Sequence, residues 1–370
     1  MMKADPIGLY IHIPFCIKKC NYCDFCSFPT GNKTDYLNAL IREIEHYGGR
    51  DIAVDTVFFG GGTPSLLSGE ELSRILSAVR GSFFLASEAE ITLEVNPATL
   101  SREKLSSYLS SGVNRISIGL QSIHENELKK LGRIHSYRDF LDTYNMARSL
   151  GVKNISFDLM YGIPDQTIES FRETLEKAIE LSPSHLSLYG LILEEGTPLY
   201  CDRDNLSLPG EDEECDMYFL AANMLSQAGY THYEVSNYAK DGCGCRHNLK
   251  YWRGEEYIGV GLAAYSYFDG KRFGNTKSLV DYIKDPVVVA DSEDIDRDAR
   301  QYEYVMLRTR LSEGFSLTDY RERFGEDFLA GREERIRSFI ESGYLEISNE
   351  RFRFTDKGLY VGNSLLTELI

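Results

Sequence analysis

GLYIHIPFCIKKCNYCDFC, residues 8–26, decides how the rest of the chain is read. Its first six residues form a short run rich in β-branched and aromatic side chains, which predicts a strand. The loop that follows holds four cysteines, at 16, 20, 23 and 26. Cys16-x3-Cys20-x2-Cys23 puts three thiolates on one short segment. Three cysteines can hold three corners of a cubic iron–sulfur cluster and leave the fourth iron open to a small ligand. A zinc site usually draws its ligands as two separated pairs, and no second pair stands out except Cys243-x-Cys245. A redox C-x2-C at Cys20/Cys23 or Cys23/Cys26 leaves the other cysteines unexplained. Four core cysteines fit poorly beside Lys18, Lys19, Asn21 and Asp24. Cys26 keeps two readings open: fourth ligand of a closed electron-transfer cluster, or a free or accessory thiol beside a three-cysteine one.

Composition narrows the classes. The chain has 370 residues, 42% of them hydrophobic, enough for one large domain and a smaller one. Its net charge of -17 argues against a nucleic-acid binder, which needs a basic face. A well-solvated cytoplasmic surface accounts for the acidity. No apolar run of about 18 residues predicts a membrane span, and MMKADPIGLYIHIPFC does not read as a secretory signal. Half of the eight cysteines crowd near the N-terminus, which speaks for ligation rather than disulfides.

Strand-like runs recur at 8–13, 55–60, 91–96, 115–120, 154–162 and 185–191. Amphipathic segments lie between them near 33–48, 69–80, 101–111, 137–150 and 167–181. Six such alternations predict an α/β fold with a parallel sheet, open or curled into a barrel. The strand ends are polar: GGGTP after the second, Glu94 in the third, Gln121 ending the fourth, Asp158 in the fifth. In such folds active sites gather at the C-terminal strand ends. Any one of these groups could merely cap a helix; several on one rim predict a site. Beyond residue 195 we expect a helix at 212–228, a strand at 231–237, GCGCRHNLKYW in a loop, and from 291 a small α+β winged-helix-like domain. The last stretch carries 12 basic and 18 acidic residues, so a packing or partner role suits it better than DNA. The expected boundaries are 1–235, 236–290 as a connecting segment, and 291–370.

CIKKCNYC resembles the C-x3-C-x2-C signature of radical S-adenosylmethionine (SAM) enzymes. YIHIPFCIKKCNYCDF, FFGGGTPSLL, EVNP, SIGLQS, LGRIH and FDLMYGIP together resemble one branch, which holds oxygen-independent coproporphyrinogen III oxidase and the heme chaperone HemW. The likeness runs over nearly the whole chain and implies a partial (β/α)6 barrel with a HemN-type C-terminal domain. It implies that Cys16, Cys20 and Cys23 ligate a [4Fe-4S] cluster whose open iron chelates SAM, and that Tyr10, Tyr22, Gly61, Gly62, Thr63, Glu94, Gln121, Arg133 and Asp158 line the SAM site. The residue types agree. Glycines admit close backbone approach, Arg133 can pair with a carboxylate, and Asp158 in an apolar strand needs a partner. The competing readings are a plain turn for the glycines and a solvated charge for Arg133.

Two departures separate the chain from the oxidase. Phe25 stands where the oxidase has a further cysteine, here displaced to Cys26, and only 15 residues precede Cys16. HNLKYW, residues 247–252, is similar to the HNxxYW motif associated with heme in the chaperone. It implies heme contacts from His247, Asn248, Tyr251 and Trp252; against this, a loop-fixing histidine and core aromatics serve equally well for the residues alone. Cys243 and Cys245 could bind a metal or supply a thiolate to heme, and His12 and His135 could be structural. The resemblance thus implies a heme chaperone that binds heme, SAM and a cluster and serves an apo-hemoprotein, with possible peripheral membrane contact. Coproporphyrinogen decarboxylation is the rival, and a four-cysteine electron carrier the third reading.

Overall fold

The computed structural model describes residues 5–29 and 33–370. Six strands lie side by side in chain order, each pair parallel: β1 (Ile7–Ile13), β2 (Ala53–Gly61), β3 (Phe84–Val95), β4 (Arg115–Gln121), β5 (Asn154–Tyr161) and β6 (His185–Gly190). These are the six expected runs, with ends shifted by one or two residues except in β3, which starts seven residues earlier than the expected 91–96. Helices return the chain between them: α1 (Lys33–His46), α2 (Gly69–Ser82), α3 (Arg102–Ser111), α4 (Glu125–Lys130), α5 (Tyr137–Ser149) and α6 (Ile168–Leu181). Four of them start at a side-chain cap, Ser68, Ser101, Ser136 or Thr167, which accepts a backbone N–H three residues on. The two-residue period of β1 sends Leu9, Ile11 and Ile13 into the core with the helices' apolar faces. Gly8, Tyr10 and His12 face the other way, into the interior of the partial barrel.

The sheet does not end with these six. After α7 (Glu211–Gln227), β7 (Thr231–Glu234) and β8 (Asn237–Ala239) extend it antiparallel beyond β6. On the other side β9 (Tyr257–Val260) pairs parallel with β1, and β10 (Tyr265–Phe268), β11 (Lys271–Asn275) and β12 (Val289–Asp294) follow antiparallel. The order is β12-β11-β10-β9-β1-β2-β3-β4-β5-β6-β8-β7. Residues 236–290, expected to be a connector, therefore contribute to both sides of the main sheet, β8 beyond β6 and β9 to β11 beyond β1. The HNLKYW stretch, expected in a loop, is also different. It forms α8 (Arg246–Arg253), stopped by Gly254 at φ +62°, where a left-handed cap closes the last turn.

A buried carboxyl ties this edge to the barrel. Glu43 of α1 accepts from the Gly261 N–H at 2.8 Å, the Asn275 amide and the Tyr282 hydroxyl. Burial pushes its pKa up to about 7, against the lowering effect of those donors.

The remaining chain forms a smaller unit: α9 (Arg297–Arg308), β13 (Phe315–Ser316), α10 (Leu317–Phe324), α11 (Glu333–Glu341), β14 (Leu345–Ser348) and β15 (Arg351–Phe354). Its sheet order is β13-β15-β14, and it has its own aromatic core around Phe315, Tyr320, Phe328 and Phe352. The expected hairpin turns at Asn349 and Glu350, both at positive φ, as a two-residue turn between right-twisted strands requires. No described helix is long and apolar enough to cross a membrane.

Glu43→Ala should destabilise the fold by about 2–4 kcal/mol, because it leaves two buried donors, the Gly261 N–H and the Tyr282 hydroxyl, without this acceptor and removes one of the Asn275 bonds. Chemical denaturation measures this; a loss under about 0.5 kcal/mol would show that the triad does not hold the edge.

Candidate functional site

The C-terminal ends of β1 to β6 open on a cavity of about 380 Å³. Cys16, Cys20 and Cys23 all line it, and Cys26 does not. The loop is held in place by backbone bonds rather than by its thiols. The Gly62 N–H donates to the Ile13 carbonyl at 2.8 Å and the Thr63 N–H to the Phe15 carbonyl at 2.7 Å. This carries the β1–β2 pairing past the strand ends. Gly61, at φ +104°, makes the turn that allows it. A Cβ on Gly62 would lie 2.8 Å from the Phe15 oxygen and 2.9 Å from the Ile13 oxygen. The glycines are therefore more than a plain strand-to-helix turn.

Thr63 Oγ1 sits 3.5 Å from Cys16 Sγ and Arg133 Nη1 3.6 Å from Cys20 Sγ, each donating toward sulfur. Burial raises the Cys23 and Cys26 thiols above their ordinary range. No three His, Cys, Asp or Glu side chains among the described residues gather closely enough for one metal ion. Three thiols spread around a shared cavity suit a multi-iron cluster better than a lone ion. Cys26 is anchored through its carbonyl, which accepts from His12 Nε2 at 2.9 Å; His12 Nδ1 then accepts from the Tyr10 hydroxyl at 3.0 Å. His12 is thus structural, and Tyr10 sits below the cavity wall instead of on it.

Tyr22, Gly61, Gly62, Thr63, Glu94, Gln121, Arg133 and Asp158 do line the cavity. Arg133 is no solvated charge. It is aimed inward by bonds to the Gly119 carbonyl and the Asn96 side chain, and its Nε donates to His135. His135 is held neutral, its pKa lowered to about 3 by burial and by Arg133. A Cβ at Gly119 would come 2.9 Å from Arg133 Nη2, so a side chain there would move the guanidinium from this position. Asp158 accepts from Ser117 at 3.0 Å and from Ser187, yet burial still raises its pKa. Glu94 is pushed further, to about 8, by burial and by the charge of Asp158. Gln121 holds φ at +62°, and its buried Oε1 has no hydrogen-bond partner among the described residues. Strain and an orphaned acceptor at one residue mark a place prepared for a ligand. Ser117, Asn96, Gly119 and Tyr189 were missed in the sequence; strand alternation, which puts Ser117 two residues before Gly119 on the inner face, was the available signal.

The cavity can therefore offer sulfur ligands at one wall. It also holds two buried carboxyls, Glu94 and Asp158, whose pKa values are raised, the guanidinium of Arg133, and backbone at the glycines. A cluster with SAM fits this set: a cationic amine and sulfonium for the carboxyls, a carboxylate for Arg133, a donor for Gln121.

The other end of the barrel interior is plugged by α8. His247 is 1% exposed. Its Nδ1 meets Thr56 Oγ1 at 2.9 Å, its Nε2 meets the Tyr251 hydroxyl at 2.8 Å, and its ring stacks on Phe58. Burial first, then Lys250 and Arg115, lower its pKa to about 3. A row of rings, Tyr257, Tyr251, His247, Phe58 and Tyr10, crosses the barrel with centroid steps of 4.5, 5.0, 5.3 and 6.3 Å. Trp252 bonds to the buried Glu234 instead of facing a ligand. Cys245 is fully buried, with Glu90 Oε1 3.7 Å from its sulfur, and burial pushes its thiol up to about 11. The four motif residues therefore do not converge on one pocket. In this arrangement His247 and Cys245 do not reach an external iron, because burial and their existing bonds hold them inside. Asn248 is half-buried, and Tyr251 is the motif residue that lines a second cavity.

The radical SAM superfamily model matches residues 10–178, and the HemN C-terminal domain model residues 295–361. A heme chaperone HemW of Escherichia coli (strain K12) is 38% identical over 379 residues, covering 99% of this chain and 98% of that protein. The HemW of Lactococcus lactis subsp. lactis (strain IL1403) is 36% identical, covering 100% and 98%. The solved coproporphyrinogen III oxidase (HemN) from Escherichia coli superposes with a TM-score of 0.85 at 23% identity, covering 98% of this chain and 90% of that one, a likeness of fold.

Glu94 gives a pH signature with a definite sign. Its folded pKa of about 8 lies above the ordinary 4.5. Between those values the folded chain holds a proton that the unfolded chain has lost, so this group makes stability fall as pH rises, levelling off above about 8. Denaturant melts from pH 5.5 to 8.5 should show a shallower decline in Glu94→Gln. Identical slopes in the two chains would refute the buried, protonated carboxyl.

Proposed function

We propose, from the premise that the chain belongs to the radical SAM superfamily and within it to the HemW family, that it is a heme chaperone. It binds heme and hands it to an apo-hemoprotein, in the cytoplasm or at a membrane surface. The observation that carries this reading is likeness along the full length to relatives named heme chaperones, 38% over 99% of the chain.

Under this reading Cys16, Cys20 and Cys23 hold a [4Fe-4S] cluster. Arg133 pairs with the carboxylate of SAM, and Gln121 accepts from the same ligand. Asp158 and Glu94 accept from its amine and ribose hydroxyls, while Gly61, Gly62 and Thr63 present backbone groups to its methionine end. Tyr22 walls the cavity and Tyr10 supports it from below. When bound, the cluster supplies an electron to the sulfonium of SAM. The chain's own part is to bind, orient and exclude water: Gly62 lets the backbone close, and Arg133 is kept cationic beside a neutral His135. A cationic ligand also discharges the proton from Glu94, because its charge replaces the proton's.

Coproporphyrinogen III oxidation is the rival reading. Against it, Phe25 stands 63% exposed at the cavity mouth, and the neighbouring thiol of Cys26 lies off the cavity.

Anaerobic reconstitution tests the cluster. Cys16→Ser, Cys20→Ser and Cys23→Ser should each lose the reduced-cluster EPR signal, while Cys26→Ser should keep it and its change on adding SAM. Loss of the signal in Cys26→Ser would favour the closed four-cysteine carrier. Hemin titration of the native chain, followed at the Soret band, should saturate near one equivalent, with heme then moving to an apo-hemoprotein. Turnover of coproporphyrinogen III without saturable hemin binding would reverse the choice.

A further inference from the structure

A second cavity, of about 590 Å³, lies outside the barrel. It is formed where the end of α8 and the edge strands β9 and β10 meet α9 and α10 of the smaller unit. Its charge is opposite to that of the molecule. Six arginines line it, at 253, 272, 297, 300, 308 and 323, against two carboxylates, Glu255 and Glu303, in a chain of net charge -17. Its walls are aromatic: Tyr251 from α8, the cross-strand pair Tyr257 and Tyr267, then Tyr304 and Phe324.

Four of the arginines are committed. Arg272 is clamped by Glu293 and by both oxygens of Glu303 at 2.8 Å, Arg253 pairs with Glu313, Arg297 with Glu326 and Arg323 with Asp319. Two are not. Arg300 Nε donates to the Asp296 carbonyl, and Arg308 Nη2 to the Arg253 carbonyl, and neither forms an ion pair among the described residues. Arg308 stacks over the Tyr304 ring, and its buried Nε has no hydrogen-bond partner among the described residues. Two unpaired guanidiniums beside a cluster of rings ask for a flat, largely apolar ligand with two carboxylates. Guanidinium binds carboxylate bidentately, and aromatic rings pack on a planar face. The volume falls within the usual range for small-molecule sites.

We propose that this cavity is the docking site of the heme cargo. Arg300 and Arg308 take the two propionates, and Tyr251, Tyr257 and Tyr267 pack against the macrocycle. The assignment rests on the heme-chaperone reading and goes beyond it by placing the cargo outside the SAM cavity. It also gives the HNxxYW stretch a different part. Tyr251 forms the wall of the pocket, and His247 holds Tyr251 from behind.

The test titrates hemin, and separately hemin dimethyl ester, into the cluster-loaded full chain. It compares the native chain with Arg300→Glu, Arg308→Gln and the double variant. The expected result is an affinity for hemin at least about tenfold lower in the double variant. The native chain should prefer hemin over its ester by a similar factor, and the SAM-dependent EPR change should be kept in every variant. Arg300 is exposed, so Arg300→Glu carries the comparison, with a several-fold loss, if the double variant does not fold. Undiminished hemin affinity in the folded variants, or equal affinity for the ester, overturns this site and leaves the chaperone reading standing. Failure of the native chain to bind hemin saturably overturns both.

Discussion

Residue 62 has no room for a side chain. The Gly62 N–H bonds to the Ile13 carbonyl and the Thr63 N–H to the Phe15 carbonyl, and through these contacts β1 and β2 stay paired after the strands end. The cysteine loop begins at this junction. Cys16 is seated beside Thr63 because the two segments are zipped there. The rim can be precise, although it is built on loops, because its first residues are still part of a ladder.

Below the rim the barrel interior is arranged by charge. Two guanidiniums, Arg115 and Arg133, face three carboxyls, Glu90, Glu94 and Asp158. Arg115 is 2% exposed and serves the Glu90 and Asp158 side, and Arg133 stands among the rim groups. Burial and the neighbouring charge of Asp158 favour a retained proton on Glu94. The imbalance makes sense for a cavity that receives a cation: a fully balanced interior would have nothing to offer one.

The framework was legible because its signals are local. Strand runs, helix stripes and capping serines each lie within a dozen residues, and parallel strands buried on both faces read as continuous apolar runs. The rim residues were legible through motifs; their burial, tautomers and orientation were not, since His135 reaches Arg133 and His12 reaches Cys26 only after folding. The HNLKYW stretch was misread as a loop. Its aromatic residues and flanking glycines mask a short helix whose stability comes from the barrel it plugs. Residues 236–290 were read as a connector because the strands they hold, three to six residues each, find partners only at the edges of a distant sheet. The arginine pocket left no trace at all. Its six cations come from positions 253 to 323, and no window of sequence holds more than a few of them.

The plug of α8 has a consequence for traffic through the molecule. With α8 closing the floor, the strand-end cavity opens at the end that carries the cysteine loop. The outer face of the same plug is the wall of the arginine cavity. Two chambers therefore share a partition made of packed rings, with Tyr251 on one side and Tyr10 on the other. The two cavities open on different faces, one among the cysteines and strand ends and one between α8 and the smaller unit. The molecule is built as two rooms back to back, with separate doors.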